Sequence, residues 1–137
     1  MNKTEQRYAN HLYSLYESRN IVRYDFEPFG LRLSEEKCYY HPDFLVTYQD
    51  KFEIHEVKGF DRKTKRPRVE DDAAVKFKVA AAFYDFWNFR MVWYDTEKKM
   101  WDSKVFKPGD LFFFFLNILH CLHCLHLKWT PYAIRST

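Results

Sequence analysis

The chain has 137 residues, a net charge of +3, 20% aromatic residues and only 3 Gly. That composition excludes a disordered tail protein, predicts an aromatic-rich core, and leaves nucleic-acid binding to be argued from where the charges lie rather than from their sum. The 3 Cys are an odd number with two clustered late, which excludes a secreted disulfide framework; with no basic-then-apolar N-terminal pattern, a cytoplasmic, reducing compartment is expected.

Residues 2–20 are predicted to form an amphipathic helix, because Tyr8, Leu12, Leu15 and Tyr16 recur at helical spacing. Asn2 can cap it, and Glu5 three positions later completes a capping box. Asn20 is the expected terminator. A strand is expected over Ile21–Phe26, a kink at Pro28-Phe29-Gly30, and a second strand from Phe29 to Leu33. Asp25 and Glu27 read as solvated strand positions. Ser34–Lys37 is a polar turn, and Pro42, which has no N–H, suits the start of a strand.

Phe44–Tyr48 and Phe52–Val57 are rich in β-branched and aromatic residues and flank Gln49-Asp50-Lys51, the pattern of a β-hairpin. Side chains two apart share a strand face, so Ile54, Glu56 and Lys58 point one way and Glu53, His55 and Val57 the other. The hairpin can bring Asp43 towards Glu56, gathering two carboxylates and a lysine at one edge of a sheet. Mg²⁺ prefers oxygen ligands and keeps several waters around one or two carboxylates. Asp43 and Glu56 could be those carboxylates, the Val57 carbonyl a neutral third ligand, and Lys58 a compact positive charge for the attacking water or a phosphate. The plainer reading is a surface hairpin with a Glu-Lys pair worth under about 1 kcal/mol; the Pro-Asp one hairpin upstream favours the site. His41 and His55 read as bystanders, His55 because strand parity turns it away from Glu56.

Five of the seven residues from Arg62 to Arg68 are cationic: Arg62, Lys63, Lys65, Arg66 and Arg68. A loop of this kind beside a phosphodiester site neutralises backbone phosphates without reading sequence. No zinc-finger or helix-turn-helix signature accompanies it. Glu70-Asp71-Asp72 should open a second helix, with Val75, Val79, Ala82 and Phe83 as its apolar face. Lys76 on this helix is a further candidate for DNA contact. Phe89–Tyr94 reads as a buried strand, Asp95–Lys98 as a turn, and Met100–Phe106 as a short last strand. The order gives an α/β fold around a mixed sheet.

The pattern divides the chain into residues 1–106 and an apolar tail, 107–137, with Leu111–Leu116, Cys121 and Cys124, and His120, His123 and His126. The apolar run is at the lower limit for a bilayer span and carries Asn117 and histidines, so a membrane span is not expected. The Cys and His residues form one compressed cluster that cannot converge on one ion at helical spacing, so zinc is not expected either. A buried or amphipathic helix, at a dimer interface, is the reading the tail favours.

Pro42-Asp43 followed by Glu56-Val57-Lys58 resembles the signature of PD-(D/E)xK nucleases, whose fold is restriction-endonuclease-like. The similarity is to small phage and prophage nucleases and to phage junction-resolving endonuclease I. It extends over roughly residues 3–94: Thr4-Glu5-x-x-Tyr8-Ala9-x-x-Leu12, Tyr24–Leu33, Tyr40–Val46, His55–Phe60 and Val75–Ala81. The resemblance implies an α/β restriction-endonuclease-like mixed sheet flanked by helices. It implies an endodeoxyribonuclease dependent on Mg²⁺, with Mn²⁺ able to substitute, acting on duplex or branched DNA in a bacterial host cell, and as a homodimer where two strands are cut. Asp43, Glu56 and Lys58 fall on the catalytic motif, and Glu5 on the family's first-helix glutamate, so its capping and catalytic readings both stand. A catalytically silent DNA-binding protein of the same fold is the alternative.

Overall fold

The computed structural model describes residues 1–68 and 71–106. The tail readings (bilayer span, zinc, interface helix, separate unit) lie outside the described residues, as do Glu70 and the side chain of Asp71 expected in the second helix's first turn. The elements are α1 (Lys3–Glu17), β1 (Arg23–Phe26), β2 (Leu31–Arg32), β3 (Tyr39–Tyr40), β4 (Phe44–Thr47), β5 (Phe52–Lys58), β6 (Phe60–Asp61), β7 (Arg66–Pro67), α2 (Asp71–Phe83), β8 (Asn88–Asp95) and β9 (Met100–Phe106). Mixed α/β architecture is therefore observed, as expected.

The main sheet has five strands in the order β1-β4-β5-β8-β9. β4 and β5 form the expected antiparallel hairpin, and β5 and β8 run parallel, with the β6–β7 hairpin and α2 in the crossover between them. Parallel pairing requires such a crossover and leaves both faces of the central strand covered. Alternation along the strands sorts the core into two layers. Phe44, Val46, Val57 and Val92 meet Tyr8, Ala9 and Leu12 of α1. Ile54, Phe89 and Met91 face Phe77, Ala80 and Ala81 of α2.

α1 begins at the predicted capping box, with Asn2 Oδ1 accepting from the Thr4 and Glu5 amides at 2.9 and 3.0 Å. Its stripe uses Ala9, while Tyr16 is exposed. Its end differs from expectation. Arg19, not Asn20, adopts the left-handed conformation (φ 59°), and the Asn20 N–H returns to the Leu15 carbonyl while Arg19 N–H returns to Tyr16, both at 2.9 Å. These two bonds make a Schellman motif with an arginine where glycine is usual.

Three further expectations are corrected. The strand expected over Ile21–Phe26 starts at Arg23, because Ile21 is drawn into the core against α1. The strand expected over Phe29–Leu33 shrinks to Leu31–Arg32, which pairs with Tyr39–Tyr40 outside the main sheet. On α2 the buried positions are Ala74, Phe77, Ala80 and Ala81, whereas Val75 and Phe83 are 40% and 55% exposed. Phe77 decides this: its ring packs edge-on against Phe89 and Phe106 at 5.8 and 4.9 Å, and the alanines one turn on let the helix approach. Val79 and Ala82 flank the contact.

The basic stretch forms a short hairpin, with Phe60 opposite Pro67 and Asp61 opposite Arg66. No helix among the described residues is long and apolar enough to cross a membrane.

Candidate functional site

β5 is buried from Glu53 to Val57 although it carries Glu53, His55 and Glu56. Charged residues are rarely buried unless partnered, and each face of the strand supplies its own partners.

On the α2 face, Glu56 is engaged at both oxygens. The Tyr40 hydroxyl donates to Oε2 and the Lys58 ammonium to Oε1, each at 2.7 Å. Both members of the ion pair are largely buried, with Lys58 12% and Glu56 7% exposed. Parity on the strand therefore brings together the Glu and Lys that the sequence placed on one face. Asp43 enters from β4. The β4–β5 ladder pairs Phe44 with His55, and the residue that would oppose Val57 is Pro42, which has no N–H to give. The backbone ladder ends there, and the Asp43 side chain serves as acceptor beyond it: its Oδ2 accepts the Val57 N–H at 2.7 Å. Burial, then the neighbouring Glu56 charge, raise the Asp43 pKa to about 7, against the Val57 hydrogen bond and Lys58. Two carboxylates crowded in a half-buried place are the arrangement that a dication relieves.

Glu5 completes the capping box, accepting from the Asn2 N–H at 2.7 Å and from the Asn2 side-chain amide. Its charge also contributes to raising Asp43. The same carboxylate is thus a cap and a neighbour of the pair. Among the described residues no three His, Cys, Asp or Glu side chains form a group that could hold a metal ion. The donor set nonetheless fits a hard divalent ion, which takes one or two carboxylates and fills its remaining positions with water; Asp43 and Glu56 are the residues that would hold one, and Val57 lies between Glu56 and Lys58.

Nothing in the sequence alone singles out Tyr40 beyond its place two residues before Pro42, since a hydroxyl reaching a carboxylate sixteen positions away has no local periodicity. Burial, then Glu56, push its own pKa well up, so it remains a donor. Arg7, on the exposed side of α1, carries no sequence signal either. Its guanidinium sits over the Tyr94 ring at 4.2 Å, and with Thr4, Lys58, Arg62 and Arg68 it lines a cleft of about 270 Å³.

The other expected cations do not line this cleft. Lys63, Lys65 and Arg66 are exposed, and Lys65 pairs with Glu97 at 3.4 Å. Lys76 is exposed on α2, one residue before Phe77, against which Tyr40 packs. Asp25 is taken by Arg23 at 2.6 Å, and His41 is exposed.

On the α1 face, His55 Nδ1 lies 2.7 Å from the Tyr8 hydroxyl and Nε2 lies 3.0 Å from Glu53. One neutral tautomer satisfies both contacts, with Nε2–H donating to Glu53 and Nδ1 accepting from Tyr8. Burial lowers the His55 pKa, which keeps it neutral. Burial would raise Glu53, but hydrogen bonds from His55, Arg90 and Lys51 outweigh it and hold the carboxyl well below the usual range. Arg90 reaches Glu53 through Nε at 2.8 Å and Nη2 at 3.2 Å. This network ties α1, β5 and β8 together across the sheet from Glu56. Comparison of the chain with protein-family models, with curated proteins and with solved structures finds no match in any of the three.

Proposed function

We propose that the chain is a Mg²⁺-dependent endodeoxyribonuclease with a restriction-endonuclease-like fold. One observation carries the reading: Asp43 and Glu56 crowd each other at the ends of β4 and β5, and Lys58 is held against Glu56 on the same strand face. A structural ion pair would need Glu56 and Lys58 alone. The second, strained carboxylate is what metal-assisted phosphodiester hydrolysis requires and stability does not.

In this proposal Asp43 and Glu56 hold the ion, with the Val57 carbonyl as a neutral donor. A divalent ion in that position supplies acidification of a water and neutralisation of phosphate charge. Lys58 holds the water or the phosphate as a point charge. Tyr40 keeps the Glu56 carboxylate oriented, and Glu5 adds negative charge from the start of α1. The cations of the β6–β7 hairpin and Lys76 guide the DNA backbone, duplex or branched, and Mn²⁺ substitutes for Mg²⁺. Cutting both strands of a junction would call for a homodimer.

A catalytically silent DNA-binding protein is the second reading, favoured by the fact that both Glu56 oxygens already have protein partners. The test is cleavage of plasmid and four-way-junction DNA with Mg²⁺, with chelator, and by Lys58→Ala. Metal-dependent cutting lost in the variant supports the enzyme. DNA binding with no cutting in Mg²⁺ or Mn²⁺ transfers the conclusion to the silent binder.

A further inference from the structure

The cleft beside Lys58 has a composition that its position alone does not require. Thr4 and Arg7 from the first turns of α1 form one wall, Arg62 and Arg68 of the β6–β7 hairpin another, and Tyr94 lies at the end of β8. It opens at the carboxyl ends of the parallel pair β5 and β8, where ligands of open α/β sheets commonly bind. Four cationic side chains line it, counting Lys58, and no Asp or Glu is among its lining residues. The nearby amides of Thr4 and Glu5 are consumed by Asn2, so attraction for an anion here comes from side chains and not from the helix terminus. The Arg7–Tyr94 contact places the guanidinium while engaging none of its N–H donors.

We infer that this cleft binds a phosphate group of the polynucleotide adjacent to the one that is cut, with Arg7, Arg62 and Arg68 as its ligands. The inference rests on the nuclease reading for the word "adjacent": Lys58 belongs both to the cleft and to the carboxylate pair, so a strand crossing Glu56 continues into the cleft. The cleft, of about 270 Å³, is open to solvent on the side where a strand would pass. The cleft also divides the basic run by role. Arg62 and Arg68 line this cleft with Arg7 and, on their other side, a neighbouring cleft with Asp61 and Lys63, while Lys65 and Arg66 line neither.

The experiment measures binding of the full chain to a fluorescent DNA duplex in chelator, where nothing is cut, across about 50 to 200 mM salt. Arg7→Gln and Arg62→Gln are each expected to flatten the slope of log K against log salt, and the two together by no more than about 0.9, the amount for one phosphate contact. Arg7→Lys should restore the slope, and Lys37→Gln, in the β2–β3 connection, should leave it unchanged. On a covalently closed plasmid with Mg²⁺, Arg7→Gln should raise KM several-fold with kcat nearly unchanged. Excess inorganic phosphate should compete with the duplex in wild type more than in Arg7→Gln. An Arg7→Gln protein with unaltered unfolding, slope and KM, in an enzyme that still cuts, overturns the cleft and leaves the nuclease. A wild type with the expected slopes that never cuts leaves the anion cleft and overturns the nuclease. Absence of any DNA binding by wild type overturns both.

Discussion

Asp43→Asn should make the metal-free protein more stable and inactive at once. The buried Asp43 carboxyl has a folded pKa of about 7, against about 3.9 when unfolded. Its folded pKa is raised, so the native state holds the proton more tightly, and stability falls as pH rises from about 4 through about 7. The difference corresponds to at most about 4 kcal/mol between fully protonated and fully ionised states. Water reaches part of the group and the charge is shared with Glu56, so about 2 kcal/mol is the working figure. Asn can still accept the Val57 N–H through its amide oxygen, which removes the charge and keeps the hydrogen bond. Urea unfolding in chelator at pH 5 and pH 8 measures the effect. The variant should gain on wild type by about 1 kcal/mol more at pH 8 than at pH 5, because part of the penalty is already present about one unit above the unfolded pKa, with equal m-values. Mg²⁺ should raise the midpoint of wild type only, by mass action. A variant that is less stable than wild type at pH 8, or whose difference from wild type is the same at both pH values, would refute the claim that Asp43 is a strained carboxylate.

Tyr40→Phe removes the donor to a buried Glu56 oxygen and should cost about 1–3 kcal/mol in thermal or urea unfolding. It should also raise the Mg²⁺ concentration for half-maximal cutting several-fold; an unchanged metal dependence would reduce Tyr40 to packing. The two roles of Glu5 separate by substitution. Asn2→Ala should cost about 1 kcal/mol of stability through the lost cap and little activity, whereas Glu5→Gln should lower cleavage rate at least tenfold. Equal losses in both would leave Glu5 as a cap only. Arg19→Gly should stabilise by about 0.5–1 kcal/mol, since glycine adopts positive φ without the steric cost an arginine carries; a lower urea midpoint would contradict this.

The parts of the site that were legible in the sequence are those fixed by strand parity. Glu56 and Lys58 share a face because they are two apart, His55 is turned away because it is one apart, and the hairpin length brings Asp43 to Val57. The α1 capping box was equally local. What was hidden depends on tertiary choices. Tyr40 reaches Glu56 from a separate two-stranded ladder, and Arg7 meets Tyr94 from the far end of the chain. The buried face of α2 is not legible in the sequence because hydrophobicity alone cannot rank Val75 and Phe83 against Phe77 and two alanines. Which stripe is buried is decided by the rings of Phe89 and Phe106 waiting on the sheet. Arg19 escaped for another reason: the Schellman hydrogen bonds and the burial of Ile21 impose a left-handed residue wherever the helix happens to stop.

The two-sided burial of β5 has a consequence for how the chain finds its register. A slip of one residue would rotate Glu56 and Lys58 towards Tyr8 and Leu12, and turn Glu53 and His55 towards Phe77. Arg90 would lose Glu53, and Tyr40 would lose Glu56, leaving several buried charges without partners. An all-apolar central strand could slide with modest penalty, because any Val or Ile fits either layer about as well. Here the polar residues on opposite faces act as a keyed lock. The same side chains that assemble the candidate site reject mispaired hairpins during folding, so the register that folds and the register that would cut DNA are one and the same.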